Sequence, residues 1–528
     1  MRRKTRIHFL SRPGRRWTGH GLKLFVASLL LVSPVLAQFG PPSSQNQGTQ
    51  ATQLPLSGRT TESSGSVKTS EQPAPSATAS VNTLNPNVQV QGTYSGSTPG
   101  IAKMPFNGKL GLQDAIQRGL AYNLGQTGAK QALRQSEGQS KVARSSLLPN
   151  ISGTVNENFQ TTDLRAQGLR FNFPGFSIPA VVGPFNYIDF RGRVSQSIFD
   201  VAALENYRAA NDVAEANRYS ELDARDLIVL AVGGTYLQTV ASKARVVSEQ
   251  AQLDSANAAY QQSLQQFQQG LVAKVDADQS QVQALTHQQR LLSLQNDLAK
   301  QKITLARMIG LPVNDGYDIT DDVPFSPAPA MTVEGALSQA FQQRADLKAA
   351  EAQVRAAERA HGAARAEHYP SLVVTGDYGA IGVNPSQMQT TYTAQASLKI
   401  PIWQGGKSEG DLQQSDAALA QRRAEYEDLK GQIESDVRSA YLDLQAAASQ
   451  VEVAQKNVDV TKEALELTRQ KSEAGVIDNV EFVRAQETVT NAEFDYINAV
   501  FAHNIAKLNS ARAMGRAANT IRELLKTQ

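Results

Sequence analysis

The chain has 528 residues, with 52 Lys and Arg against 49 Asp and Glu, a formal net charge of +3 and no cysteine. That length accommodates two or more ordinary domains. The absence of cysteine excludes thiolate metal sites, thiol nucleophiles, disulfides and a lipid-modified N-terminal Cys.

Residues 1–37 read as an export signal. Basic residues up to Arg15, Arg16 and Lys23 precede an apolar run over 24–36, and Val35-Leu36-Ala37 offers a small-residue cleavage site. This leader carries eight basic residues and no acidic ones, so its removal leaves 44 basic against 49 acidic side chains, a balance near −5. The basic character therefore belongs to the leader, and nucleic acid is not an expected partner. Beyond the leader no run of about 20 apolar residues occurs, so a helical span is not expected and a closed β-barrel is the remaining way into a membrane.

Residues 38–104 are dominated by Ser, Thr, Gln, Gly and Pro and are expected to be disordered. The rest of the chain is written twice. Gly270 and Gly475 lie 205 residues apart, and the same interval relates Tyr236 to Tyr441, Arg307 to Arg512 and Gly310 to Gly515. The reading is a first repeat over 105–313, a connector over 314–331 containing Pro324, Pro327 and Pro329, a second repeat over 332–515, and a tail over 516–528.

Each repeat predicts a helix that ends before a proline (Pro149, Pro370), then a strand pair, then two long helices. Ile151, Val155 and Phe159 alternate with Ser152, Thr154, Asn156 and Asn158, and Ile188, Phe190 and Val194 alternate with Asp189, Arg191, Arg193 and Ser195. In the second repeat, Leu372, Val374 and Tyr378 alternate with Ser371, Thr375 and Asp377, and the run Tyr392, Ala394, Ala396, Leu398 and Ile400 with Thr391, Thr393, Gln395, Ser397 and Lys399. Four segments of about 10 residues, apolar on one face only, fit a barrel wall between lipid and water. Hairpins of a soluble sheet with one wet face give the same alternation. A longer loop, roughly 164–185, joins the first pair.

Proline-free stretches over 203–267 and 408–472 predict helices on the order of 100 Å long. Coiled-coil seams are expected at Val240, Ala244, Val247 and Ala251, at Leu444, Ala448, Val451, Val458 and Leu465, at Leu291, Leu294, Leu298, Leu305 and Met308, and at Phe482, Val489, Tyr496 and Val500. Gly270 and Gly475 are expected to end the descending helices in left-handed caps, with return helices starting near Asp276 and Asp478.

An enzyme finds little support. Outside the leader the histidines are His287, His361, His368 and His503, scattered over different segments and expected on solvated helix faces. No His-Glu-x-x-His pattern, phosphate loop or nucleophile elbow occurs, so no catalytic residue, metal or cofactor is expected.

In these features the chain resembles the outer-membrane factors of the TolC type, over roughly residues 105–515. The carriers are Pro149 and Pro370, the strand ends Gln196-Ser197-Ile198-Phe199-Asp200 and Ile400-Pro401-Ile402-Trp403-Gln404-Gly405-Gly406, the Thr235-Tyr236-Leu237 and Ala440-Tyr441-Leu442 segments, and the two glycine tips. The resemblance implies an α+β membrane protein, a homotrimer in which four strands per protomer build one outer-membrane β-barrel. That barrel would continue into a long periplasmic α-helical coiled-coil barrel. It implies a passive exit duct for tripartite efflux or type I secretion, partnered by a periplasmic adaptor, an inner-membrane transporter and outer-membrane lipid.

By the same resemblance, Asp276, Asp278, Asp478 and Glu481 are candidates for a periplasmic gate, each present three times in a trimer. Arg484 stands at the position where the family's second tip carries an inner acid, which disturbs a simple two-ring acidic gate. Helix capping is the competing role for these acids. Gly270, Leu271, Val272 and Ala273, with Gly475, Val476 and Ile477, are the candidate adaptor contacts. An exported structural or adhesive coiled-coil protein without a channel is the alternative, and a periplasmic adaptor is a third.

Overall fold

The computed structural model describes residues 66–71, 86–98, 104–168, 179–313, 316–321, 323–329, 331–473 and 479–517. All of them belong to one unit, Ala51–Gln528.

The segment expected to be disordered contains structure. Strands β1 (Ser66–Glu71) and β2 (Pro86–Gln91) pair antiparallel, and a 3-10 turn follows at Gly92–Ser95. Val88 and Tyr94 are buried in the main core. A Cβ on Gly234 would stand 2.6 Å from Val88 Cγ2, so only glycine there lets the ribbon lie on its helix. The signal, Val88 and Val90 alternating with Gln89 and Gln91, is short and diluted by its polar neighbours.

The helix expected before each proline is two helices. In the first repeat α1 (Leu112–Tyr122) and α2 (Leu124–Ser145) follow β3 (Lys109–Leu110) and break at Asn123. The buried Asn123 side chain accepts from the Gly125 amide at 2.9 Å and donates to the Tyr94 carbonyl at 2.7 Å, so it caps the second helix while anchoring the N-terminal segment. In the second repeat α5 (Val333–Gln343) and α6 (Ala345–Ala366) break at Arg344. Asn123 precedes Pro149 by the same interval that separates Arg344 from Pro370.

The strands β4 (Asn150–Asp163), β5 (Val181–Phe199), β7 (Ser371–Gly382) and β8 (Gln389–Lys399) form one antiparallel sheet in the order β4-β5-β7-β8. The two hairpins are thus joined through β5 and β7, Val194 opposite Gly376 and Phe190 opposite Ala380. The two-residue β6 (Asp318–Ile319), in the connector, pairs parallel with β3.

The long helices are α3 (Val201–Gln268), α4 (Lys274–Ile309), α7 (Lys407–Glu473) and α8 (Asn479–Ala513). Next to the sheet the packing order is α2-α3-α6-α7, and farther away it is α4-α3-α8-α7. At both levels four helices stand side by side, with α3 and α7 continuous and the others stacked end to end beside them. The α4, α7 and α8 seams bury Leu291, Leu305, Met308, Val451, Val458 and Val489 as expected. On α3 the seam is shifted: Val247 is exposed, while Glu249 and Ala256 are buried.

The core lies where these levels meet. It holds Ile228, Val232 and Tyr236 of α3, Leu305 and Ile309 of α4, and Ile505 and Leu508 of α8. The fully buried Tyr236 hydroxyl sits 3.1 Å from both the Leu110 carbonyl and the Asp321 carboxylate. A smaller cluster around Ile433 and Val437 repeats Ile228 and Val232 after 205 residues. Part of α3 is apolar enough by composition to cross a membrane, but 72% of that window is buried within this core, so packing accounts for it.

Two histidines expected at the surface are buried. His287 is paired with the fully buried Glu249 carboxylate at 2.7 Å. His503 is fully buried against Phe325, with no hydrogen bond to either ring nitrogen. Burial, and secondarily the Lys507 ammonium, lower the His503 pKa to about 4. Because the folded value is below the unfolded one, stability is full above pH about 6.5 and falls as the pH drops towards 4, by about 3 kcal/mol. Comparing thermal unfolding at pH 7.5 and 4.5 checks this: the native chain should lose more stability than His503→Phe, and equal losses would contradict it.

Candidate channel wall and helical tip

The sheet has one apolar and one polar face, and both are open in a single copy. Ile151, Val155 and Phe159 on β4, Phe190 and Val194 on β5, Val374 and Tyr378 on β7, and Tyr392 and Leu398 on β8 share the first face by register. All are exposed, Ile151 at 81% and Phe159 at 76%. A soluble sheet would bury this surface against another layer, and none of the described elements covers it. Aromatic residues flank the band: Phe159, Tyr378 and Tyr392 at the loop end, Phe199, Tyr369 and Trp403 at the helix end, all exposed.

The opposite face carries charge. Arg191 contacts Asp377, donates to Asp189 at 3.2 Å, and reaches the Thr391 hydroxyl at 3.3 Å, tying β5, β7 and β8 together. Arg193 and Gln395 are exposed on the same face. The alternation is legible in the sequence, but the network is not, because it depends on the non-local β5-β7 pairing.

The first tip has the expected cap. Gly270 adopts φ +74°, its amide donates to the Phe267 carbonyl at 2.9 Å, and the Leu271 amide donates to the Gln266 carbonyl at 2.9 Å. Leu271 is 70% exposed, Ala273 exposed and Val272 partly so. Helix α4 starts at Lys274, and the Asp276 carboxylate accepts from the Ala273 amide at 3.2 Å, so this acid caps the helix. Asp278, Glu481 and Arg484 are exposed. Gly475, Val476, Ile477 and Asp478 lie outside the described residues.

A profile of the family described as "Outer membrane efflux protein" matches residues 127–311 and 336–516, one segment in each repeat. The chain belongs to this family. Outer membrane protein OprJ of Pseudomonas aeruginosa is 26% identical over 397 residues, covering 72% of this chain and 79% of that protein. The pyoverdine export outer membrane protein OpmQ of Pseudomonas putida is 24% identical over 336 residues, 62% of this chain and 68% of that one. Among solved structures, the Campylobacter jejuni CmeC outer membrane channel superposes with a TM-score of 0.68 at 18% identity, covering 77% of this chain and 86% of that chain. The Vibrio cholerae outer membrane protein VceC gives 0.67 at 18% identity, covering 77% and 97%. The chain is therefore an outer-membrane efflux protein with the TolC-like fold. In such a channel the helices are the periplasmic part, and the apolar sheet face is the one whose exposed side chains suit contact with lipid.

Proposed function

We propose that three copies form this duct, giving a twelve-stranded barrel and a tube with twelve helices at each level. The supporting observation is that one copy is open on both sides. Strands β4 and β8 are edges with unpaired backbone groups, which lipid does not tolerate. Below the core, the outermost helices α4 and α7 each carry an exposed apolar stripe, Val275, Val282, Leu285 and Leu292 on one and Leu442, Val453, Val460 and Leu467 on the other. Joining α7 of each copy to α4 of the next covers both stripes and closes both edges together.

In this reading the duct is passive, without catalysis, and an inner-membrane transporter supplies energy through a periplasmic adaptor. The adaptor would dock on Gly270, the exposed Leu271 and Ala273, the partly exposed Val272, and the second tip. Cargo would be small molecules or proteins; the relatives' names include pyoverdine export and antibiotic efflux. Electron microscopy of the detergent-solubilised protein should show a threefold particle with a central lumen. A soluble monomer, or rods without a bore, would favour a channel-free coiled-coil protein.

The tip acids can be tested separately from their capping role. Asp276→Asn retains an oxygen for the Ala273 amide but removes the charge, and Glu481→Gln removes the charge at the position 205 residues later. Together they should lower cation over anion selectivity severalfold in planar-bilayer recordings, six charges being lost per trimer. Unchanged selectivity would leave Asp276 with capping alone.

A further inference from the structure

Glu157 is out of place on the lipid-facing surface. It stands between Val155 and Phe159 on β4, on the same face as both, and is opposite Ile188. It is the one charged side chain on that face among the paired residues from Ile151 to Phe159 on β4 and their partners on β5, β7 and β8. It is also exposed. Among the described strand residues no cation shares its face, because Arg191, Arg193 and Lys399 all belong to the polar face by register. At the aromatic edge of the lipid-facing band a carboxylate is unfavourable unless a hydrogen-bond donor meets it.

Within one copy the Glu157 side chain makes no hydrogen bond or ion pair among the described residues. Ile188 opposite it is apolar, the next strand presents Gly382, and the side-chain amide of Asn186, diagonal to it on the same face, is not bonded to it. Its other side is the open edge of the sheet. The residue that meets this edge is set by the depth of the strands. Glu157 lies seven residues from Asn150, where β4 leaves the helices, and Tyr392 lies seven residues from Lys399, where β8 returns to them. Tyr392 is on the apolar face too, through Tyr378 and Gly192 to Gly153, and is 79% exposed. β4 runs away from the helices and β8 towards them, so the two edges of neighbouring copies meet antiparallel, as every other pair in the sheet does. Equal depth on one face of an antiparallel pair brings side chains to roughly 5 Å, or to a diagonal neighbour's reach.

We propose that Glu157 accepts a hydrogen bond from the Tyr392 hydroxyl of the adjacent copy, and that this pair fixes the register of the seam between protomers. The inference rests on the oligomeric reading above. It adds which residues meet, and it explains why a charge persists at this place on the apolar band. Pairing within each copy fixes which face both side chains take, so the seam can slip only in steps of two residues. A slip away from this register takes Tyr392 out of direct opposition to Glu157; the contact thus favours one register as well as adding affinity.

The absence of native cysteine makes the test clean. In Glu157→Cys/Tyr392→Cys, oxidation or a short bis-maleimide should convert the full-length protein into covalent dimers and trimers on denaturing gels, while either single variant gives only monomer. Glutaraldehyde on the native protein is the parallel arm. Trimer with glutaraldehyde but none through the paired cysteines would overturn the seam assignment and leave the oligomer standing. Monomer in both arms would remove the oligomeric reading itself. For the hydrogen bond, Glu157→Ala and Tyr392→Phe should each lower the temperature at which the trimer dissociates, and the double variant should lower it no further than the larger single effect. Additive shifts would refute the pairing.

Discussion

Replacing Arg344 with alanine should destabilise the fold by about 3–5 kcal/mol at neutral pH, the usual cost of stranding the partner of a buried ion pair. Only 6% of the Arg344 side chain is exposed. Its guanidinium donates to Asp346 at 2.6 and 3.1 Å and to Asp436 at 3.0 Å, joining the α5-α6 break to α7. Close by, Arg512 on α8 pairs with Asp223 on α3 at 2.5 Å. Burial works to raise the Asp346 pKa, but the hydrogen bonds and charge of Arg344 outweigh it and hold that carboxyl below its ordinary value. Burial pushes Asp223 up, with Arg512 opposing. Removing Arg344 leaves Asp346 and Asp436 without their main cation.

These shifts fix the sign of the pH effect. A carboxylate with a depressed folded pKa stabilises above its unfolded value and loses that contribution as the pH falls. The gap between native protein and Arg344→Ala should therefore be widest near pH 7 and narrow below about pH 4, where Asp346 protonates. Helical circular dichroism on heating in detergent measures it. A gap that stays constant from pH 7 to 3.5 would mean that packing, not charge, is what the arginine supplies.

The second large effect concerns adjacent residues with opposite fates. Val194→Arg places a guanidinium on the lipid face and should cost about 2–4 kcal/mol per copy, multiplied around the barrel. Ser195→Arg, one residue along, faces the polar side with Arg191 and Arg193 and should be nearly neutral for assembly. Recovery of folded protein in the outer-membrane fraction separates the two. Equal recovery would mean that the sheet is not embedded as its faces indicate.

What could be read from the sequence was local. The Pro149 and Pro370 switches, the four alternating strands and the Gly270 cap each depend on a few neighbouring residues, and each appears in the structure. Less legible features depend on distant partners. The β1-β2 ribbon exists because Gly234, well over a hundred residues later, leaves room for Val88. The breaks at Asn123 and Arg344 depend on Tyr94 and Asp436. The polar-face network needs β5 beside β7, and the shifted α3 seam puts Glu249 inside because His287 on another helix meets it. At the tip, sequence showed the acids but not that Asp276 spends one oxygen on the Ala273 amide.

The continuity of α7 past the core sets how the lower end can move. From Leu442 to Lys471 it contains no proline or glycine, so nothing localises a kink. Below the core the helix behaves as an elastic cantilever roughly 45 Å long. Curvature at the ordinary radius of long helices, about 60–100 Å, deflects the free end of such a beam by on the order of 10–15 Å. A bore at that end can thus change its width by graded flexing of intact helices, with no hydrogen-bonded turn undone.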